Sequence, residues 1–360
     1  MTWLNGIIRF IVGGLFIFSG LVKANDPLGL SYKIQEFFEV WGLHGLDDFT
    51  IYFSLFLNTA EIVMGFSFLI GWNSLLTKKL LLAILVFFTF LTGYTYFTGL
   101  PKNCGCFGDC LPLTPLTSFS KDIALTILVL ISFTFKTNKT TSKKYGGFYT
   151  LLAGLLAILL QYYVLNHLPL VDCLPYKVGA DLVEGRKVPA NAIPDSTVIY
   201  FTYEKNGKTV RFPASAFPAD FSTNAYHFVK REDQLIRPGK NTVPPIKGFY
   251  LTGQTGIDST DYVLQLPSAI LVITHTAKDL EQNLLSLNRI ALQEYYPATN
   301  VFIITAEFEK TRTLLSKSGY AGWPVFKCDL KAIQTAARTS PTIFLLKTGK
   351  VIRKKAAIDF

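Results

Sequence analysis

The sequence predicts an α-helical membrane bundle of about five transmembrane helices, followed by a small β-rich segment and an α/β domain. Half of its residues are hydrophobic and only 17% are charged, a composition far from that of an ordinary soluble protein. The apolar residues are concentrated before residue 170, in runs that approach the roughly 20 residues needed to cross a hydrocarbon core. The remainder mixes polar and apolar residues between prolines, which is typical of a globular domain.

Five runs have the length and apolarity of membrane spans: residues 3–21, 51–72, 80–98, 119–135 and 148–168. Lysines are concentrated in the loops after the second and fourth spans, at Lys78, Lys79, Lys136, Lys139, Lys143 and Lys144. The five spans predict a multi-pass protein of the bacterial inner membrane. Because cytoplasmic loops are enriched in lysine and arginine, we expect these two loops to be cytoplasmic. The amino terminus would be cytoplasmic, and everything after the fifth span would lie in the periplasm.

Two charged residues lie inside the first two spans, Arg9 and Glu61. A charge in hydrocarbon is costly unless it is neutralised. We therefore expect Arg9 and Glu61 to pair between adjacent antiparallel helices. A structural pair that fixes helix packing is favoured over a proton or quinol relay.

Four of the five cysteines are expected on one side of the membrane. Cys104, Cys106 and Cys110 lie within the loop after the third span, and Cys173 follows the fifth span. On the periplasmic side thiols are oxidised and stay so. The sequence therefore predicts disulfide chemistry at this loop.

Three interpretations of the cysteine loop stay open. A strained Cys104–Cys106 disulfide would exchange readily with a client, with Cys110 or Cys173 as the resolving or partner thiol and a quinone among the spans as electron acceptor. In a purely structural interpretation, Cys104 or Cys106 pairs with Cys110 or Cys173 and fastens the loop to the tail. A thiolate metal site is disfavoured because the Cys-x₂-Cys repeat and a nearby histidine are missing, so we predict no metal.

A resemblance to the DoxX-related membrane proteins of the MauE, or methylamine-utilisation, type is carried by three segments. They read FSGLVKANDPLGL, AEIVMGFSFLIG and, most specifically, CGCFGDCLPLTPLTSFSKDIAL. The resemblance covers residues 1–140 and implies a four-helix membrane domain associated with periplasmic thiol and disulfide chemistry. Cys110 and a fifth span leading into a large tail depart from the pattern, so the methylamine role is not carried over.

The tail divides into three parts. Residues 141–176 hold the fifth span and a linker. Residues 177–243 read as a β-rich segment, in which Asn206-Gly207 predicts a hairpin turn. From residue 244 to 360, strands alternate with helices and end in a hairpin that turns at Thr348-Gly349, which predicts an α/β layer with a mixed sheet. A helix is expected over residues 277–295.

The order of elements in residues 244–360 resembles the thioredoxin fold, and the lead-in PPIKGFYLTGQTGIDSTDYV resembles TlpA-type proteins. This resemblance implies that Pro341 is the cis-proline facing the active site. The expected CxxC is missing, because THTA occupies residues 274–277. Without an attacking cysteine the domain cannot run dithiol exchange in the usual way. We interpret Cys328 as a buried core thiol and His275 as a surface or partner contact.

Two classes of function remain. The first is a membrane protein that handles thiols and disulfides during the maturation of exported proteins. The second is a non-enzymatic membrane scaffold or assembly factor whose thioredoxin-like domain binds client proteins, and the sequence leaves open whether the protein is an enzyme. The expected partners are the lipid bilayer and an exported client. The net charge of +10 is read as a solvated basic surface and not as a nucleic-acid site.

Overall fold

The computed structural model describes residues 2–101, 104–135, 145–237, 239, 241–283 and 300–359. Within these ranges the membrane half forms six helices of 15 residues or more: α1 (Thr2–Asn25), α2 (Pro27–Trp41), α3 (Thr50–Ile70), α4 (Ser74–Thr98), α5 (Pro115–Phe133) and α6 (Gly146–Asn166). All except α2 are long and apolar enough to cross a membrane, which confirms the five predicted spans. Helix α4 begins six residues earlier than predicted, so Lys78 and Lys79 lie in it, while the lysines of 136–144 fall outside the described residues.

Helices α1 and α3 pack with their backbones in contact. A Cβ atom added at Gly65 would lie 2.8 Å from Cβ of Phe16 and 2.9 Å from the carbonyl oxygen of Gly13. At Gly20, an added Cβ would lie 3.1 Å from the backbone nitrogen of Ile62. Small residues permit such close approach between transmembrane helices, and here they fix the register of α1 against α3.

The predicted pairing of Arg9 with Glu61 is wrong. Glu61 forms an ion pair with Lys23, and each side chain is only 2% exposed. The register set by Gly13 and Gly65 places Arg9 beside Gly71 instead, at the carboxyl end of α3. Lys23 and Arg9 are about 21 Å apart along α1, and the partial negative charge at a helix carboxyl end suits a guanidinium group.

Helix α2 follows α1 almost without interruption and lies against α3. Its first turn is capped by the carboxylate of Asp26, which accepts a hydrogen bond of 3.0 Å from the backbone N–H of Gly29. The Ser54 hydroxyl of α3 donates to the carbonyl oxygen of Pro27 at 2.7 Å. These contacts hold α2 over the end of the bundle where α1 ends and α5 begins, which we call the loop end.

The β-rich segment follows a short helix, α7 (Leu182–Gly185), and forms an antiparallel sheet in the order β2-β1-β3. Its strands are β1 (Ser196–Lys205), β2 (Lys208–Pro213) and β3 (His227–Arg237). Asn206 and Gly207 turn with φ of 50° and 70°, which confirms the predicted hairpin. On the sheet, the rings of Tyr203 and Phe212 stack 5.5 Å apart.

The last part of the chain holds a five-stranded mixed sheet in the order β6-β5-β4-β7-β8. Its strands are β4 (Ala269–Thr274), β5 (Asn300–Thr305), β6 (Val325–Lys327), β7 (Thr342–Lys347) and β8 (Lys350–Ala356), and its helices are α8 (Thr260–Gln265), α9 (Ala277–Gln282), α10 (Phe308–Lys317) and α11 (Leu330–Ala336). Strands β4, β5 and β6 are parallel to one another. Strand β7 is antiparallel to β4, and β8 is antiparallel to β7. Every residue of β4 is buried, as expected of a central strand covered on both faces.

The mixed sheet and its closing hairpin were predicted, and the turn at Thr348-Gly349 is confirmed. The Ser340–Pro341 peptide bond is cis, as the thioredoxin resemblance implied. The assignment to the thioredoxin fold itself stays a prediction. The expected helix over 277–295 is described only as far as residue 283, and the rest of it lies outside the described residues.

The contact between α1 and α3 can be tested with Gly65→Ala. The added methyl group would meet backbone atoms of α1, and such overpacking costs about 1–3 kcal/mol. We expect the melting temperature of the detergent-solubilised protein to fall by several degrees. Gly14→Ala is the matched control, since a Cβ at Gly14 meets nothing within 4 Å; equal melting temperatures for the two variants would contradict the observed register.

Candidate functional site

The cysteine loop, residues 104–114, is inserted into the loop end of the bundle. Cys106 and Phe107 are each only 8% exposed. The hydroxyl of Ser19 donates a hydrogen bond of 3.1 Å to the carbonyl oxygen of Cys106. Gly105 turns with φ of 69°, a conformation that glycine adopts without strain, and this turn brings Cys104 and Cys106 side by side.

Two ion pairs lie beneath the loop. Lys23 pairs with Glu61, and the ammonium group of Lys121 lies 3.0 Å from a carboxylate oxygen of Asp122. The second oxygen of Asp122 accepts a hydrogen bond of 3.0 Å from the hydroxyl of Thr92. All four charged side chains line one small cavity together with Cys106, so the thiol lies at the edge of a space that contains two ion pairs.

The five cysteines are in two different states. Cys110 and Cys173 form a disulfide, with their Cα atoms 4.9 Å apart. Cys104, Cys106 and Cys328 are free thiols. The structure therefore links the loop to the tail through Cys110, and not through Cys104 or Cys106 as the structural interpretation had expected. Cys104 and Cys106 are neighbouring thiols without a bond between them.

The two neighbouring thiols differ in acidity. A hydrogen bond from Cys106 lowers the pKa of Cys104 to about 6, with a further contribution from the positive charge of Lys121 and against the opposing effect of burial. The same hydrogen bond, together with burial, raises the pKa of Cys106 well above its ordinary value. At neutral pH the pair is therefore a thiolate next to a thiol, the combination that starts thiol-disulfide exchange.

The tail domain is fastened to the membrane half beside this pair. The guanidinium of Arg338, 4% exposed, donates to both carboxylate oxygens of Asp26 at 3.0 and 2.9 Å and to Asp109 at 2.8 Å. In addition, Lys354 of β8 lies 2.7 Å from Asp172, next to the Cys110–Cys173 disulfide. Arg338, in the segment between α11 and β7, therefore lies against the start of α2 and the cysteine loop.

A hydrogen-bond network occupies the turn between β4 and α9, where the sequence has THTA. Thr276 caps α9 in a capping box with Asp279. The imidazole of His275 lies 2.8 Å from the carbonyl oxygen of Ala337, and its backbone N–H donates to the hydroxyl of Ser340 at 2.9 Å. Burial lowers the pKa of His275. His275 is thus a partly buried structural residue and not the surface contact that the sequence suggested.

Cys328 lies in the core of the tail domain, with 3% of its surface exposed. Burial raises its pKa to about 12, so it is protonated and unreactive at neutral pH. The prediction of a core thiol is confirmed. Among the described residues of the tail domain, no cysteine is suited to exchange.

The sequence interpretation missed four site residues: Lys23, Lys121, Asp122 and Arg338. The first three lie within apolar helices, and a charged residue in such a helix is a signal of function or of pairing. Arg338 could not be found in the same way, because its partners Asp26 and Asp109 are 312 and 229 residues away in the sequence.

The acidity of Cys104 can be measured through its alkylation by iodoacetamide, followed on its own peptide by mass spectrometry. A pKa of about 6 means that the thiolate fraction, and with it the rate, is nearly constant above pH 7 and falls about tenfold per pH unit below 5. We expect Cys106→Ala to move the midpoint to higher pH, because it removes the hydrogen bond. Cys106→Ser keeps a donor and should move it less. A midpoint near pH 9 in the unmodified protein would contradict this assignment.

Comparison with known proteins adds four findings. Residues 197–238 match a domain of unknown function, DUF8463. The chain is similar to Protein TlpB of Flavobacterium psychrophilum, with 30% identity over 174 residues. The matching region covers 46% of this chain and 45% of that relative, so the chain spans about half the length of the relative. No solved structure matches the chain. Residues 1–135 match the family described as methylamine utilisation protein MauE, so the predicted MauE resemblance is confirmed for a membrane domain over these residues.

Proposed function

We propose that this protein is a membrane thiol-disulfide oxidoreductase that forms disulfide bonds in exported proteins, with Cys104 and Cys106 as its redox pair. The observation that carries the proposal is the contact between the partly exposed Cys104 and the buried Cys106 at the loop end of the bundle, where the pKa of Cys104 is lowered and that of Cys106 is raised. The MauE match over residues 1–135 supports a membrane protein.

The reaction begins from the Cys104–Cys106 disulfide. A client thiolate attacks the sulfur of Cys104, which is the more exposed of the two, and the bond to Cys106 breaks. Cys106 leaves as a thiolate and takes up a proton. A second client thiolate then attacks the mixed disulfide, so that the client gains one disulfide bond and Cys104 leaves as a thiolate. Two electrons pass from the client to the cysteine pair.

The groups around the pair assist both steps. The ammonium of Lys121 lies 4.6 Å from the centre of the Phe107 ring, next to Cys106 in the loop. Its positive charge favours the thiolate forms of Cys104 and Cys106. A low pKa makes Cys104 a good leaving group, which is the property of an oxidising pair.

The Cys110–Cys173 disulfide serves in this proposal as a staple. It closes a loop over a sequence separation of 63, for which chain-entropy arguments give a stabilisation of about 4 kcal/mol. The side-chain amide of Asn25 donates to the carbonyl oxygen of Val171 at 2.8 Å and its oxygen accepts from the N–H of Val171 at 3.1 Å. These bonds tie the segment around Cys173 to α1, whereas a relay cysteine has to move between partners.

The Cys110–Cys173 disulfide also supports an assignment of the side of the membrane on which the cysteine loop lies. Disulfides persist in oxidising compartments and are rare in the cytosol. We therefore place the cysteine loop and the tail domain in the periplasm, and the amino terminus on the cytoplasmic side of the inner membrane. Lys78 and Lys79, near the start of α4 and thus at the opposite end of that span from the cysteine loop, agree with this orientation.

The alternative of a scaffold whose thioredoxin-like domain binds clients is less well supported. Arg338, in the segment between α11 and β7, lies against the start of α2 and the cysteine loop. A client could not bind to this part of the domain while Arg338 is bound to Asp26 and Asp109. The tail domain is better suited to cover the redox pair.

A single-turnover assay tests the proposal. The full-length protein in nanodiscs is oxidised with diamide, freed of oxidant, and mixed with reduced ribonuclease A. We expect about two client thiols to be oxidised per protein through the Cys104–Cys106 pair, and this oxidation to be lost in Cys104→Ser and in Cys106→Ser. Cys328→Ala is the control and should retain it, because that thiol is buried in the tail core.

The outcome also separates the redox pair from the staple. If the Cys110→Ser/Cys173→Ser double variant loses client oxidation while the Cys104 and Cys106 variants keep it, the redox centre is the Cys110–Cys173 disulfide and the proposal is wrong. Oxidation of dithiothreitol by the double variant, through the remaining pair, is the expected result.

A further inference from the structure

An aromatic groove opens beside the two free thiols. It encloses about 240 Å³ between α2, α3 and α4, and residues 104–106 form its end. Six aromatic rings line it: Phe37, Phe38, Trp41, Phe53, Phe87 and Phe88. The side chains of Phe53 and Phe87 are 49% and 43% exposed, and both belong to spans, so the groove is open toward the hydrocarbon of the bilayer.

The groove is not uniformly apolar. Lys23 and Lys33 contribute to its wall on the side of the thiols. The ammonium of Lys23 lies 4.7 Å from the centre of the Phe88 ring, and that of Lys33 lies 3.0 Å from the carboxylate of Glu36. The alkyl chain of Lys33 packs against Gly105. Two ammonium groups, each paired with a glutamate, and two thiols thus lie at one end of a groove lined by aromatic rings.

These features fit a ligand with a planar ring, oxygen atoms that gain negative charge, and an apolar tail. The volume is below the roughly 300–1,000 Å³ of pockets for drug-sized ligands, so it suits one ring whose tail extends into the bilayer. Aromatic walls favour stacking with such a ring. A lipid acyl chain would use the apolar wall but would leave the ammonium groups and the thiols without a role.

We propose that this groove binds the ring of a membrane quinone, which accepts electrons from Cys104 and Cys106. The inference rests on the proposed function, because it supplies the oxidant that regenerates the pair. As the S–S bond forms, two electrons leave the sulfur atoms and reduce the quinone to a hydroquinone. Its two oxygens take up two protons, one released by the Cys106 thiol and one from water, since Cys104 starts as a thiolate. The ammonium groups of Lys23 and Lys33 stabilise the negative charge that develops on the ring oxygens.

Binding is tested by tryptophan fluorescence with decylubiquinone as the probe, on the Cys104→Ser/Cys106→Ser variant in nanodiscs. Quinones quench a nearby indole, and Trp41 lies in the groove. We expect saturable quenching that is lost when Trp41→Phe is added. Trp3→Phe is the matched control and should keep it, because Trp3 is 79% exposed at the start of α1. Unsaturable quenching that is the same with and without Trp41 would mean partitioning into the bilayer only and would overturn the proposal.

Electron transfer is tested separately, by hydroquinone formation when the reduced protein is mixed with decylubiquinone without oxygen. We expect about one hydroquinone per protein, and at least a tenfold lower rate in Leu57→Trp, which fills the groove. Leu55→Trp is the control, because Leu55 lines a different depression between α3 and α6. Equal rates in both variants would overturn the proposal. A protein that oxidises ribonuclease but neither binds nor reduces the quinone would refute this inference alone, whereas saturable binding without client oxidation would refute the proposed function.

Discussion

The two buried ion pairs beneath the cysteine loop, Lys23–Glu61 and Lys121–Asp122, are the constraint on which the rest of the site depends. Charges inside a membrane bundle are costly unless they are paired and shielded. Here the shield is the loop itself, because Phe107 covers Lys121 and Cys106 lines the same cavity. The need to close this cavity keeps Cys104 and Cys106 at a fixed depth, beside the ammonium that favours their thiolate forms. In the proposed function the same charges therefore hold the loop in place and favour the thiolate forms of its cysteines.

The tail domain completes the arrangement from the other side. Among its described residues it has no cysteine suited to disulfide exchange. The peptide bond before Pro341 is cis. Arg338, close to that bond, is bound by Asp26 at the start of α2 and by Asp109 of the cysteine loop. The segment between α11 and β7 thus docks the tail domain onto the membrane half. The Cys110–Cys173 disulfide fastens the two halves at the same point.

Local features could be predicted from the sequence, and features that depend on register could not. The five spans follow from hydropathy, and the hairpins follow from Asn206-Gly207 and Thr348-Gly349, whose turn chemistry is contained in two residues. The partner of Glu61 depends on how α1 slides along α3. That register is set by the contact of Gly13 with Gly65, and a single sequence does not show which glycines face each other. The same limit applies to Arg338, whose partners lie in another domain.

The central claim is that the sulfur of Cys104 reacts with the client. The most direct test is to trap the mixed disulfide between them. In Cys106→Ser the Cys104 thiolate can still attack a disulfide of an exported protein, forming a mixed disulfide and releasing one client thiolate. The attack by Cys106 that would displace the client from Cys104 is missing, so the mixed disulfide should persist. Cells that express this variant should accumulate a reductant-sensitive adduct, in which mass spectrometry identifies Cys104 bonded to a periplasmic cysteine. The Cys104→Ser variant should give no such species. Adducts of equal yield in both variants, or adducts formed only through Cys110 or Cys173, would contradict the account.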